Sequence, residues 1–299
     1  MALETMYLFK KHFACQENMK ILTQQELQEV QRVLLEMAED IKLVCKENNI
    51  FYMLGGGTAL GAIRHQGFIP WDDDMDLNIF HSDLDRFAQA LEKKFPGKYN
   101  VQIPGKTKGY FSTFAQVHKK GTVFLEDKGQ KEEEAGIKID LFPIENTFDS
   151  PILRKIHGMG CDAAHLLLSG YRLWLRRKEL KEISKNVPQA RWPFFIKRMV
   201  SLPVLIAPGL WNRMFHKWFR ICRKEHSRYV VIPSGRKHFF GELYERERYC
   251  HTKDVPFEDS QFALTEDIQE YMEHLYGKDY MELPPEEDRE RHMLYKLKL

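Results

Sequence analysis

Apolar residues recur at spacings of three and four from Leu27 through Val30, Leu34, Met37 and Ile41 to Cys45. That is the period of an amphipathic helix with one buried face. Thr23 and Glu26 stand ahead of it in capping-box spacing, and Asn48-Asn49 marks its end. The short apolar run Ile50 to Leu54 then reads as a buried strand, so the first helix is expected to pack on the sheet that contains it. A second cap at Ser82 to Asp85 predicts a helix burying Leu84, Phe87, Ala88 and Leu91, stopped by Pro96-Gly97. Strands are expected at Val101 to Ile103, Phe111 to Val117, Thr122 to Leu125 and Ile137 to Phe142, and Lys131 to Glu134 reads as an exposed turn. No internal repeat or low-complexity tract interrupts this mixture of helices and short strands.

The 299 residues carry a formal charge of only +2, so nothing global asks for a nucleic-acid partner. The balance hides an asymmetry. Residues 172–228 hold fifteen Lys or Arg against three acids, interleaved with Trp174, Trp192, Phe195, Trp211, Phe215 and Trp218. Basic groups beside aromatic rings on helices suit peripheral contact with an anionic membrane; a helical bundle with aromatics inside and charges solvated fits the same residues. No segment approaches the roughly 20 apolar residues of a membrane span. Five widely spaced cysteines, Cys15, Cys45, Cys161, Cys222 and Cys250, form no Cys-x-x-Cys pair and read as reduced thiols. The expected location is cytoplasmic, neither secreted nor transmembrane, with a peripheral place on the inner membrane face as an option.

The chemistry concentrates in 22 residues that open with Gly55-Gly56-Gly57-Thr58 and close with Trp71-Asp72-Asp73-Asp74-Met75-Asp76. Glycines after a strand let the backbone turn sharply and approach an anion. Asp74 and Asp76 share a face if the segment is extended, with Asp73 pointing away and Asp72 joining or orienting the ligand set. Paired carboxylates repel unless a cation sits between them, and hard oxygen ligands favour Mg²⁺ or Mn²⁺. Asp140, in the alternating run Ile137-Lys138-Ile139-Asp140-Leu141-Phe142, would complete a two-metal ligand set if its strand lies beside the first. The plainer reading is a tight turn followed by a solvated acidic loop.

Gly56 to Asp76 resembles the signature of the LicD family, to which fukutin and fukutin-related protein are also similar. The likeness recurs at Ile139-Asp140-Leu141-Phe142-Pro143 and from Leu275 to Pro285, with Arg289 or Arg291 and His292 beyond. The resemblance implies an α+β, nucleotidyltransferase-like mixed sheet flanked by helices, with an added mainly helical basic region. Residues 1–150 would form the catalytic core, 151–232 the basic aromatic region, and 233–299 a segment completing the LicD-like domain. It also implies transfer of a phospho-alcohol, phosphocholine or a similar group, from a CDP-linked donor to a hydroxyl of a glycan or glycolipid, with release of CMP.

On that reading Asp74, Asp76 and Asp140 are the catalytic and metal-binding acids, with Asp72 beside them and Asp140 able to accept the hydroxyl proton. Gly56, Gly57 and Thr58 position the phosphates, and Arg64 can bond a diphosphate bidentately. Trp71 is placed to stack on a base or to wall the acidic loop. Arg289 and His292 are candidates for phosphate contacts. Three other functions share the residues: a nucleotidyltransferase that releases pyrophosphate from an NTP, a non-enzymatic glycan- or lipid-binding module, and a nucleic-acid tailing enzyme with a basic track and steep salt dependence.

Overall fold

A computed structural model describes residues 20–126, 130–178, 181, 188–286, 289 and 293–299. After a two-residue strand β1 (Lys20–Ile21), the capping box forms as expected: Glu26 N–H donates to Thr23 Oγ1, and Thr23 N–H donates to the Glu26 carboxylate. Helix α1 (Gln24–Glu47) then buries Leu27, Val30, Leu34, Met37 and Ile41. It leads into β2 (Tyr52–Leu54), α2 (Gly56–His65), β3 (Asp76–Phe80) and α3 (Leu84–Lys94). The start of α3 differs from its prediction, because a 3₁₀ turn at His81–Asp83 precedes it and its N-cap makes no side-chain bond. The buried face is nonetheless Leu84, Phe87 and Leu91.

Strands β4 (Tyr99–Gln102), β5 (Ala115–Lys119), β6 (Val123–Leu125) and β7 (Lys138–Asn146) follow. The main sheet runs β2-β3-β7-β5-β4, and β8 (Tyr229–Val231) and β9 (Leu243–Glu245) extend it from the far end of β7. Among the described strands of this sheet only the β3–β7 pair is parallel; its register sets Asp76 opposite Asp140 and Leu77 opposite Leu141. The α+β expectation of a mixed sheet flanked by helices describes this architecture. Its core draws on α1, α3 and the sheet, and also on the hairpin β10 (Thr252–Phe257) and β11 (Ser260–Thr265) and on the last long helix, Ile268–Tyr276. Strand β12 (Met293–Leu294) pairs with β1, and β13 (Lys296–Lys298) with β6.

Between β7 and β8 the chain builds a helical unit from α4 (Pro151–Leu175), α5 (Pro188–Val200) and α6 (Pro208–Phe219); the Ile268–Tyr276 helix is therefore α7. A second core joins Cys161, Leu168, Val204, Phe215 and Phe219 to Val231 and Phe239. The aromatics of this basic region divide between buried and exposed positions. Trp174 Nε1 donates to Arg198 O at 2.7 Å and Trp218 Nε1 to His157 O at 3.1 Å, so both tie elements together. Phe194, Phe215 and Phe219 are buried, while Trp192 and Phe195 stack on each other in solvent. Among the described residues no helix is long and apolar enough to cross a membrane.

Candidate active site

The glycine run does more than turn. Gly55 caps α2, so the helix begins directly behind the acidic strand. Gly55 N–H donates to Asp76 O at 3.0 Å and Asp76 N–H to Thr58 Oγ1 at 2.8 Å, which locks the helix start onto β3. Gly56 has φ +46°, and a Cβ there would lie 2.7 Å from Asp76 Oδ2, so both its backbone and its surroundings require glycine. A Cβ on Gly57 would meet Asp72 Oδ2 at 3.4 Å. The first N–H groups of a helix have no intrahelical acceptor and carry partial positive charge. Asp72 and Asp76 therefore lie beside the end of α2 that favours anions.

Behind the turn stands a polar brace. Tyr271 OH accepts from Gly56 N–H and from Asn78 Nδ2, each at 3.3 Å, and Tyr249 OH accepts from Asn78 Nδ2 at 2.9 Å. Burial raises the Tyr271 phenol above its usual range, so it stays a neutral hydroxyl.

Asp140 N–H donates to Met75 O at 2.9 Å, fixing the two acidic strands side by side. The Asp140 carboxyl faces a cavity of about 230 Å³ that Asp73, Asp74, Gln116, Glu126 and Lys138 also line. Gln116 Nε2 donates to Asp140 Oδ1 at 2.8 Å. Burial raises the Asp140 pKa to about 6, against the opposing pull of Lys138 and of the Gln116 hydrogen bond. Burial alone would lower the Lys138 ammonium, yet Glu126, Asp140 and Asp74 raise it, so a firm positive charge stands in this acidic wall.

The segment before Asp76 is not a strand, so alternation does not apply there. Asp73, expected to point away, is 7% exposed and lines the cavity with Asp74 and Asp140. Gln31 of α1 pins this loop by donating to Asp72 O at 2.8 Å.

Other candidates lie elsewhere. Arg64 sits near the far end of α2, about 12 Å along the axis from Gly56 by the helix rise. Its Nη1 donates to Glu282 O at 3.0 Å and Tyr280 O at 3.4 Å, and burial lowers its pKa. It clamps the C-terminal segment. The Arg289 guanidinium covers the Trp71 ring at 4.4 Å, and His65 meets the same ring edge-on at 6.3 Å. Trp71 and Arg289 are thus brought together, with a cation already on one face of the ring. Arg291 and His292 lie outside the described residues.

Residues 49–154, which include the glycine turn and all the acids above, match the family described as LicD/FKTN/FKRP, nucleotidyltransferase domain. This chain carries a LicD-family domain. A lipopolysaccharide cholinephosphotransferase, LicD of Haemophilus influenzae, is 27% identical over 296 residues, covering 92% of this chain and 97% of that protein. Human ribitol 5-phosphate transferase FKRP is 41% identical over 58 residues, 19% of this chain and 12% of FKRP. An uncharacterized Rickettsia typhi protein is 47% identical over a 58-residue stretch. That domain and a similarity spanning nearly the whole length support a transferase of the LicD type.

Oxygen-only donors around the LicD-type turn suit a hard divalent cation. Among the described residues no three His, Cys, Asp or Glu side chains converge as a ready metal cage. Mg²⁺ ordinarily takes only one or two carboxylates and completes its shell with water and substrate phosphate, so the lack of such a cage does not bear on it.

Sequence reading overlooked Gln116, Lys138 and Glu126. For Lys138 the signal was present, because in Ile137-Lys138-Ile139-Asp140 it falls two residues before Asp140 on the same strand face. Gln116 is the register partner of Asp140 on β5, which pattern alone does not disclose.

Proposed function

We propose that this LicD-family transferase moves a phospho-alcohol, phosphocholine first among the choices, from a CDP-linked donor to a hydroxyl of a glycan or glycolipid, releasing CMP. The observation that carries the reading is the parallel register of Asp76 and Asp140 beside the glycine-capped start of α2. The choice of phosphocholine rests on the similarity to the cholinephosphotransferase, and ribitol phosphate is the alternative that the shorter similarity to FKRP supports.

In this reading the first turn of α2 receives the donor diphosphate, with the positive end of the helix facing the anion. Asp74, Asp76 and Asp140 would supply the carboxylates for Mg²⁺ or Mn²⁺, one or two to each ion, with Asp72 orienting or completing the set. When bound, the cation neutralises charge on the phosphates and eases deprotonation of an alcohol. The acceptor hydroxyl attacks the β-phosphorus in line, the bond from that phosphorus to the CMP oxygen breaks, and the hydroxyl proton passes to Asp140. Gln116 keeps the Asp140 carboxyl turned into the cavity through its bond to Oδ1. Lys138 and Glu126 form a half-buried ion pair beside it that balances part of the acidic charge. Orientation and charge neutralisation supply the acceleration, with no covalent enzyme intermediate.

The test is to incubate the protein with Mg²⁺, a panel of CDP-alcohols or CTP, and a crude glycolipid extract, following products by phosphorus NMR. Acceptor-dependent CMP from one CDP-alcohol is the expected result and names the head group. Pyrophosphate released from CTP would move the attack to the α-phosphorus and overturn this reading in favour of nucleotidyl transfer.

A further inference from the structure

Helix α4 carries two apolar faces. One packs inward through Cys161, Ala164 and Leu168. The other shows Ile152, Ile156, Met159, Ala163 and Leu166 to solvent. Their spacing of four, three, four and three places all five within an arc of about 80° on a helix of 3.6 residues per turn. A surface helix ordinarily turns polar residues outward, so an apolar outer stripe marks a contact surface.

The neighbouring helices repeat the feature. On α5 Trp192 is 68% and Phe195 49% exposed, their rings stacked at 5.7 Å. Ile206, just before α6, is 88% exposed, and Leu210 and Met214 continue along one face of α6. Exposed cations border these residues: Lys155 on α4, Arg177 and Lys178 just beyond it, Arg213 and Lys217 on α6, and Arg220 after it.

We propose that the unit α4–α6 docks on an anionic lipid surface, with its outer apolar residues in the headgroup and upper acyl region and its Lys and Arg against lipid phosphates. Charge selects this occupant. A second copy pressed on the same face would set the exposed cations Lys155, Arg177, Lys178, Arg213, Lys217 and Arg220 of each against those of the other. Nucleic acid would answer the charge but not the aliphatic stripe of α4, which gains nothing from a sugar-phosphate backbone. Anionic lipid answers both, with each Lys or Arg near the surface contributing about 1 kcal/mol and the apolar side chains adding burial. Since no described helix can span the bilayer, the unit lies on the surface. The inference does not depend on which donor the active site uses, and its failure would leave that site's reading untouched.

The experiment is co-sedimentation of the full chain with vesicles of phosphatidylcholine alone and of an equimolar mixture with phosphatidylglycerol, alongside sedimentation equilibrium without lipid. Wild type is expected to bind the mixed vesicles at least tenfold more tightly, with binding that weakens as salt rises. Arg213→Glu with Lys217→Glu should lower that affinity at least about tenfold. Ile156→Ser, Trp192→Ser and Ile206→Ser combined should lower it similarly while leaving the circular-dichroism melt unchanged. The proposal is overturned if wild type ignores both vesicles, if the triple serine variant binds as wild type does, or if wild type is a dimer that the serine variant dissociates. Tighter binding to an oligonucleotide than to mixed vesicles would overturn it as well.

Discussion

The sheet and the helical unit use their side chains in opposite ways. The sheet brings polar and charged groups inward and gives each a stated partner: Asp140 has Gln116, Asn78 has Tyr249 and Tyr271, and His81 has Glu145. The helical unit also buries polar groups such as His157, but it leaves large apolar residues such as Ile156, Trp192 and Ile206 on its outside among exposed Lys and Arg. Polar groups pulled out of water cost free energy unless they are bonded, so a protein keeps such groups where geometry serves chemistry. Apolar groups left in water serve no chemistry, and they mark the place where another surface comes. On the two readings proposed above, the halves serve different encounters, one with a small anion and one with an extended face.

The largest effect should come from the acids. Asp76→Ala or Asp140→Ala is expected to lower turnover by roughly 10²–10³, as removal of a key electrostatic group does, with the far-ultraviolet spectrum unchanged. Turnover near wild type in either variant would remove the catalytic assignment. Next in size is the buried pair of His81 and Glu145, whose side chains are 5% and 6% exposed. Glu145→Ala strands the histidine and should cost about 3 kcal/mol in urea unfolding; a loss below about 1 kcal/mol would show that the sheet does not depend on its inward polar pairs.

Leu168 and Ile156 compare the two faces of a single helix. Leu168→Ala should destabilise by at least about 2 kcal/mol, because the side chain is fully buried in the helical core. Ile156→Ser, on the outer stripe, should stay within about 0.5 kcal/mol. Equal losses would mean that the outer stripe is internal packing.

Glu242 gives a pH test. It is buried, bonded to Lys237 N–H at 2.9 Å, and burial raises its pKa to about 8. The folded state therefore holds a proton that the unfolded chain has lost, so stability falls as pH rises from about 4.5 to about 8. The slope from this group is at most roughly 1.4 kcal/mol per pH unit. Glu242→Gln should flatten that decline, which melts at pH values across the window will show.

Sequence pattern disclosed the parts whose determinants are local. The capping box at Thr23 and Glu26, the apolar stripe of α1 and the glycine turn depend on neighbours within a few residues, and each stands where spacing put it. The pairing of Asp76 with Asp140 was an inference about strand order, and the register supplies it. What stayed hidden depends on distant chain. Arg64 was a phosphate candidate because it follows the glycine turn, and its bonds to Tyr280 O and Glu282 O, more than two hundred residues away, could not be read from that neighbourhood. Asp73 lines the cavity because the segment expected to be extended is a loop, and Gln116 goes unnoticed in the sequence because register is not written in one strand. The aromatics from Trp174 to Phe219 divide between core and surface by helix packing, which composition averages away.

The most direct measurement is CMP release from CDP-choline with Mg²⁺ and a glycolipid extract, comparing wild type with Asp76→Asn and Asp140→Asn, each shown to be folded. The expected result is acceptor-dependent release by wild type that falls at least about a hundredfold in both variants. Release by either variant at the wild-type rate would contradict the claim that this carboxylate pair carries the reaction.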